Sequence, residues 1–233
     1  MTRHGARGVH GQTVETLASR ILSREYPEGA VLDIPALQEE LDVSLTALRE
    51  ALRVLTAKGL VDARQKRGTF VRPRTAWNVL DADVMRWQTA GEPDSGLFDQ
   101  LTEVRAIVEP AAARLAAERA SENDVAALAV ALERMAESGG DVEKIVEADL
   151  DFHRLLLAMP GNGFLSRIEA VIAIGLAERD RIVHAAAPDA DPVPSHRAVL
   201  DAIAAHNPDA AEHAMRALVT TSADDLTRLH SAR

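Results

Sequence analysis

The stretch Val43-Ser44-Leu45-Thr46-Ala47-Leu48-Arg49-Glu50-Ala51-Leu52-Arg53-Val54-Leu55-Thr56-Ala57-Lys58-Gly59 decides the fold of the N-terminal part of this chain. Leu48, Ala51, Leu52 and Leu55 recur at i, i+3, i+4 and i+7, the spacing of one apolar stripe on a helix. Ser44 stands where an N-cap is needed, and Gly59 stands where a helix ends. Just upstream, residues 34–41 read as a shorter helix with Leu37 and Leu41 facing inward, joined by Asp42-Val43-Ser44. Two short helices separated by about three residues make a helix-turn-helix.

Working outward, Val14, Leu17, Ala18, Ile21 and Leu22 form another helical stripe that Pro27-Glu28-Gly29 stops. Downstream, residues 60–63 and 69–72 read as two strands around Arg64-Gln65-Lys66-Arg67-Gly68, a basic hairpin tip. Residues 12–74 are therefore expected to form a winged helix-turn-helix, three helices plus a two-stranded wing, after a flexible N-terminus at 1–11. A helix of this size fits the major groove of DNA, where its N-terminal residues meet base edges and phosphates. With the leucine stripe buried, Thr46, Arg49 and Arg53 point outward, and the Ser44 hydroxyl stands at the helix N-terminus, where phosphate binds well. Arg64, Lys66 and Arg67 crowd the wing, while Gly68 lets its backbone turn and approach a duplex closely. Singly, an exposed arginine is more often a solvated surface charge; their joint placement points to DNA.

The net charge of −10 opposes that reading until it is divided along the chain. Residues 1–75 carry 12 Lys/Arg against 9 Asp/Glu, so the acidic excess lies entirely beyond them. Cysteine is absent, which excludes disulfides, thiolate catalysis and cysteine-ligated zinc. No apolar run approaches the roughly 20 residues that span a bilayer, and the N-terminus lacks the apolar core of a signal peptide, so no membrane association and a cytoplasmic location are expected.

Residues 75–96 read as a linker segment. The apolar spacing from Trp77 through Leu80 and Val84 to Trp87 predicts a segment packed on the larger domain. Residues 97–230 are expected to form an all-α bundle of about six helices, roughly 97–120, 122–138, 141–158, 163–186, 193–206 and 208–230. Ser121 with Asp124, Gly139-Gly140, Pro160-Gly161 and Asn207-Pro208 punctuate them, and Pro110 is expected to kink the first. Asp149 and His153 lie four residues apart and project from one helical face, with His196 on a later helix. Imidazole with carboxylate suits first-row metals such as zinc, nickel or manganese, although an Asp/His pair at this spacing is also a common surface pairing.

The run from Val43 to Leu52, followed by Gly59-Leu60-Val61 and Arg67-Gly68-Thr69-Phe70-Val71, resembles the DNA-binding domain of the GntR family. It departs from that pattern at Leu45 and Pro35, where arginines are expected, and at Ala47, where proline is common; the resemblance therefore implies a different base readout. Glu103 to Pro110, Asp149 to His153 with Asn162 beyond, and Ser195 to Ile203 resemble the FCD domain found in the same family. That resemblance implies a homodimer on a palindromic operator and a small organic acid as effector. For the metal-binding branch it implies one aspartate and three histidines as ligands. Asp149, His153 and His196 match three of these, whereas Leu218 stands at the fourth; His213, five residues earlier, faces elsewhere.

Two forms of the site follow: three ligands with water or effector oxygens completing the shell, or a metal-free pocket in which the same residues bind the effector directly. Arg105 is the expected anchor for an effector carboxylate, with Asn162, Arg179 and Arg181 as further candidates. The segment around Trp77 and Trp87 resembles that of members governing sugar-acid catabolism, which favours a hexonate such as galactonate or gluconate and a repressor released by it. A metal-dependent enzyme using Asp149, His153 and His196 is the alternative; it lacks a recognisable nucleophile or base and leaves the basic winged helix without a purpose.

Overall fold

The computed structural model describes residues 8–90, 95–186 and 191–231, and the chain divides into two units, Met1–Glu92 and Pro93–Arg233. In the first, α1 (Val9–Leu22) buries Val14, Leu17, Ala18 and Ile21. Helix α1 begins earlier than expected, so residues 9–11 are helical, while the rest of the proposed flexible terminus, residues 1–7, lies outside the described residues. Helix α2 (Ile34–Glu40) starts where the Asp33 carboxylate accepts from the Ala36 amide at 3.2 Å. Helix α3 (Leu45–Ala57) starts where Ser44 Oγ accepts from the Ala47 amide at 3.2 Å, and it buries Leu48, Ala51, Leu52 and Leu55. Each cap contributes about 1 kcal/mol.

Strands β1 (Val61–Arg64) and β2 (Gly68–Val71) pair antiparallel, Val61 opposite Val71 and Arg64 opposite Gly68. Residues 29–32 add a third edge that the alternation pattern did not reveal: the Gly29 and Leu32 amides donate to the Val71 and Thr69 carbonyls, and Val31 bridges Phe70. Gly59 ends α3 at φ +82, and a Cβ there would stand 2.5 Å from the Ala76 carbonyl oxygen. Only glycine lets the chain beyond the wing lie so close.

That chain corrects an expectation. Residues Arg74–Ala76 form a 3-10 turn and Ala82–Thr89 form α4, whose buried Val84 and Trp87, together with Trp77, join the core of the winged-helix unit. The Trp87 indole N–H donates to Glu15 at 2.6 Å, Arg86 reaches both Glu15 oxygens at 2.7 and 3.0 Å, and Lys58 joins Asp81 and Asp83 at 2.7 and 2.8 Å. The segment thus packs on the first unit rather than on the helical one; the expected linker residues 91–94 lie outside the described residues.

The second unit contains α5 (Ser95–Arg119), α6 (Glu122–Ala136), α7 (Val142–Ala158), α8 (Gly163–Ala186), α9 (Val193–Ala204) and α10 (Pro208–Ser231). Helix α5 continues through Pro110. A reciprocal cap between Ser121 and Asp124 opens α6, and Asn207 Oδ1 accepts from the Ala210 amide at the start of α10. The core places Ala113, Ala116 and Ala117 of α5, with Ala120 just beyond it, against Leu128, Leu132, Phe152, Leu156, Ile203 and Met215. Alanine on α5 lets its neighbours approach closely, which brings polar residues of α5, α7, α8, α9 and α10 around one cavity.

Candidate functional site

In the winged-helix unit, the buried stripe of α3 leaves Thr46, Arg49 and Arg53 exposed, and Ser44 is exposed at its N-terminus. Arg53 pairs with Glu50 at 3.1 Å, one turn away, and both side chains are open to solvent, so the pairing is weak. Leu45 is 37% exposed, an apolar contact at a position where the family pattern carries a cation. On the wing, Lys66 and Gly68 both take the left-handed conformation, φ +71 and +78. Arg67 lies with its guanidinium 3.7 Å from the Phe70 ring centroid, while Arg64 stands 5.5 Å from the same ring and pairs with Asp62. The aromatic face orients two wing arginines that would otherwise sample many rotamers.

In the helical unit, a cavity of about 100 Å³ is lined by side chains from five helices. Asp149 and His153 of α7 and His196 of α9 each place one ligand atom within 4.8 Å of the others, all three buried. His196 Nδ1 lies 2.8 Å from the Pro192 carbonyl and so carries the ring proton, which leaves a bare lone pair on Nε2. That Nε2 is buried without a hydrogen-bond partner, 2.9 Å from Asp149 Oδ1. Phe152 packs edge-on against the His196 ring with centroids 4.8 Å apart and holds its orientation. A lone pair and a carboxylate oxygen facing each other in a buried site repel unless a cation or a proton lies between them. The donor set of one carboxylate and two imidazoles suits a divalent first-row metal, so the residues present fit such an ion.

Behind this set stands a residue that motif spacing alone passed over. Glu109 of α5 is fully buried, accepts from Arg105 Nε at 2.8 Å and lies 3.2 Å from His153 Nδ1, off the line of a good ring hydrogen bond. Burial opposes its charge, but Arg105 and His153 beside it prevail and hold its carboxyl down to about 2. Burial also opposes the charge on His153, which Glu109 and Asp149 nevertheless push upward, and Asp149 is held well below the usual carboxylate range by His153, His196 and Arg105. A carboxylate behind a histidine fixes the orientation of the ring and makes its other nitrogen a better ligand.

Of the expected effector residues, Arg105 and Arg179 line the cavity. Arg105 is 3% exposed and already bound by Glu109; Arg179 is held by Asp180 and by the Ser222 carbonyl. Asn162 and Arg181 do not line it. Asn162 is exposed and accepts from the Phe164 amide at the start of α8, and Arg181 is paired with Glu143 at 2.9 Å and Glu178 at 3.3 Å on the surface. Arg179 and Arg181 are two helical steps apart, about 200° around α8, so only one of them can face inward. Leu218 also lines the cavity and brings no ligand atom to it. Asp180 and His184 of α8 also line it, both buried, and neither was expected there. Their four-residue spacing repeats that of Asp149 and His153, which was the available signal. Burial and the neighbouring Asp149 raise the Asp180 carboxyl to about 7.

Two family models match the chain: bacterial regulatory proteins of the gntR family over residues 10–71, and the FCD domain over residues 100–221. The galactonate operon transcriptional repressor of Escherichia coli K12 is 37% identical over 214 residues, spanning 90% of this chain and 93% of that protein. The HTH-type transcriptional repressor NanR of E. coli K12 is 31% identical over 209 residues, 87% of this chain and 78% of that protein. Among solved structures, Lar, which controls expression of the Listeria monocytogenes agr system, superposes with a TM-score of 0.66 at 19% identity, over 96% of this chain and 98% of that one, a likeness of fold. The relatives are transcriptional regulators rather than enzymes. The chain belongs to the GntR family of bacterial transcriptional regulators and carries a C-terminal FCD domain.

Proposed function

We propose that this protein is a cytoplasmic repressor that binds a palindromic operator as a homodimer and is released by a small organic acid held, together with a divalent metal, in the FCD cavity. Ser44, Thr46, Arg49 and Arg53 of the recognition helix and Arg64, Lys66, Arg67 and Gly68 of the wing form the DNA face. One recognition helix reads few base pairs, so two copies on a two-fold site are required for useful specificity.

The observation that carries the effector half is the approach of His196 Nε2 to Asp149 Oδ1, a bare lone pair and a carboxylate oxygen 2.9 Å apart in a buried site. Arg105 and Arg179 line the same cavity, and guanidinium suits a carboxylate ligand. A divalent ion held by Asp149, His153 and His196 would satisfy both atoms and would supply positive charge for an effector carboxylate, Leu218 adding no ligand atom. This favours the metal-bound form over the metal-free pocket, with zinc, nickel or manganese as the candidates. The similarity to the galactonate operon repressor favours a hexonate such as galactonate or gluconate.

A gel shift with the chain's own upstream region, with and without D-galactonate, tests the reading. Salt-sensitive specific binding lost in Arg49→Ala and relieved by the acid is the expected result. No specific complex, or wild type and Arg49→Ala behaving alike, would remove the DNA-binding reading.

A further inference from the structure

Asp180 is 1% exposed, and its two oxygens have different surroundings. Oδ1 is held by the Arg179 guanidinium; Oδ2 is buried in the cavity wall with no hydrogen-bond partner, beside the Asp149 carboxylate. We propose that Asp180 reads the hydroxyl groups of the bound acid, accepting a hydrogen bond at Oδ2 and so setting the specificity of the cavity for hydroxylated over plain carboxylic acids. The inference rests on the reading of the cavity as an acid-binding site.

The chemistry narrows the ligand as follows. A buried carboxylate oxygen without a donor is costly, and a ligand that brings a donor relieves it. An ammonium donor is disfavoured because Arg179 and Arg105 already line the same space, and a third cation there meets like charge. A hydroxyl supplies the donor without charge. Asp180 of α8 lines the cavity beside Asp149, and Thr221 and Ser222 of α10 line it as well. An acid whose carboxylate is held by way of Asp149, His153 and His196 has its nearest carbons within reach of Asp180, where an apolar tail would leave Oδ2 unpaired. A site built to hydrogen-bond a hydroxyl rejects the analogue that lacks it far more strongly than an apolar pocket rejects an extra one.

The test is calorimetric titration of the zinc-loaded full chain with D-gluconate and with hexanoate, acids of equal carbon number that differ in their hydroxyls. The wild type is expected to prefer gluconate by about tenfold to a hundredfold, the range for a hydrogen bond to a charged acceptor. In Asp180→Asn and Asp180→Ala that ratio is expected to fall toward one. Asn keeps the volume, and with its carbonyl oxygen turned to Arg179 it presents an amide NH2, which cannot accept the hydroxyl proton, so it carries the test if the Ala variant fails to fold. A ratio retained in Asp180→Asn while both acids weaken would overturn the proposal and leave Asp180 as a support for Asp149. Wild type that binds both acids equally would also overturn it. Wild type that binds neither acid would defeat the acid-effector reading itself and the proposal with it.

Discussion

His196 Nε2 and Asp149 Oδ1 face each other at 2.9 Å inside the helical unit, with the opposite ring nitrogen of His196 tied to the Pro192 carbonyl. A metal between them satisfies both atoms, so zinc is expected to raise the melting temperature of the wild type. At a free concentration of 100 times its dissociation constant, a bound ion stabilises by about 2.7 kcal/mol. His196→Ala and His153→Ala are expected to lose the zinc-dependent shift, and elemental analysis of the purified proteins should show metal in the wild type only. Equal, negligible metal in all three would point to the metal-free pocket.

The recognition helix gives a second prediction. Arg49 is exposed and makes no ion pair among the described residues, whereas Arg53 shares its charge with Glu50. Arg49→Ala is expected to weaken operator binding by about tenfold or more, corresponding to a loss of 1–3 kcal/mol if the contact is to a base edge. A phosphate contact instead lowers the salt slope by about one. Binding measured from low to high salt separates the two.

Gly59 supplies a prediction about stability alone. Ala at this position combines a left-handed backbone with a Cβ 2.5 Å from the Ala76 carbonyl. Something in the backbone must shift, and Gly59→Ala is expected to cost about 1–3 kcal/mol in urea unfolding. Gly139→Ala, also left-handed but with nothing within 4 Å, should cost less.

The clamp that holds α4 predicts a pH dependence. Burial opposes the charge on Glu15, but hydrogen bonds from Arg86 and Trp87 outweigh it and lower its carboxyl below 4.5. A depressed carboxyl stabilises the fold above its unfolded value and loses that contribution as pH falls through the folded value. Lys58 is raised above 10.5 by Asp81 and Asp83 against burial, so its contribution is present below that value and lost as pH rises through the folded one. Both groups are partly open to solvent, and the effect of each is expected to be about 1 kcal/mol or less. Trp87 fluorescence followed below pH 4.5 should report release of the indole from Glu15, and Glu15→Gln should flatten that transition.

Much of this was legible in the chain because local periodicity carries it. The Leu48–Leu55 stripe, the Ser44 cap and the breaks at Gly139, Pro160 and Pro208 act within one or two turns, and the helices fall close to where those signals put them. Asp149, His153 and His196 converge because the i, i+4 pair needs only one partner helix. Trp77 and Trp87 join the core of the winged-helix unit, which their spacing does not reveal because an apolar face shows that a segment packs, not on what; Glu15, the partner of the Trp87 indole, lies 72 residues away. Asn162 carried polarity and a suggestive position, but its side chain is committed to the start of α8. Glu109 needed the tertiary packing, since an acidic residue on a helix reads as surface until its neighbours are known, whereas Asp180 with His184 repeats the spacing of Asp149 and His153.

The most direct measurement is operator binding followed by fluorescence anisotropy, with zinc-loaded protein on its own upstream DNA titrated with D-galactonate, for wild type and His196→Ala. The account predicts a salt-sensitive wild-type complex that the acid dissolves and a His196→Ala complex that persists in its presence. Failure of the wild type to bind that DNA specifically, or equal release of both proteins by the acid, would contradict it.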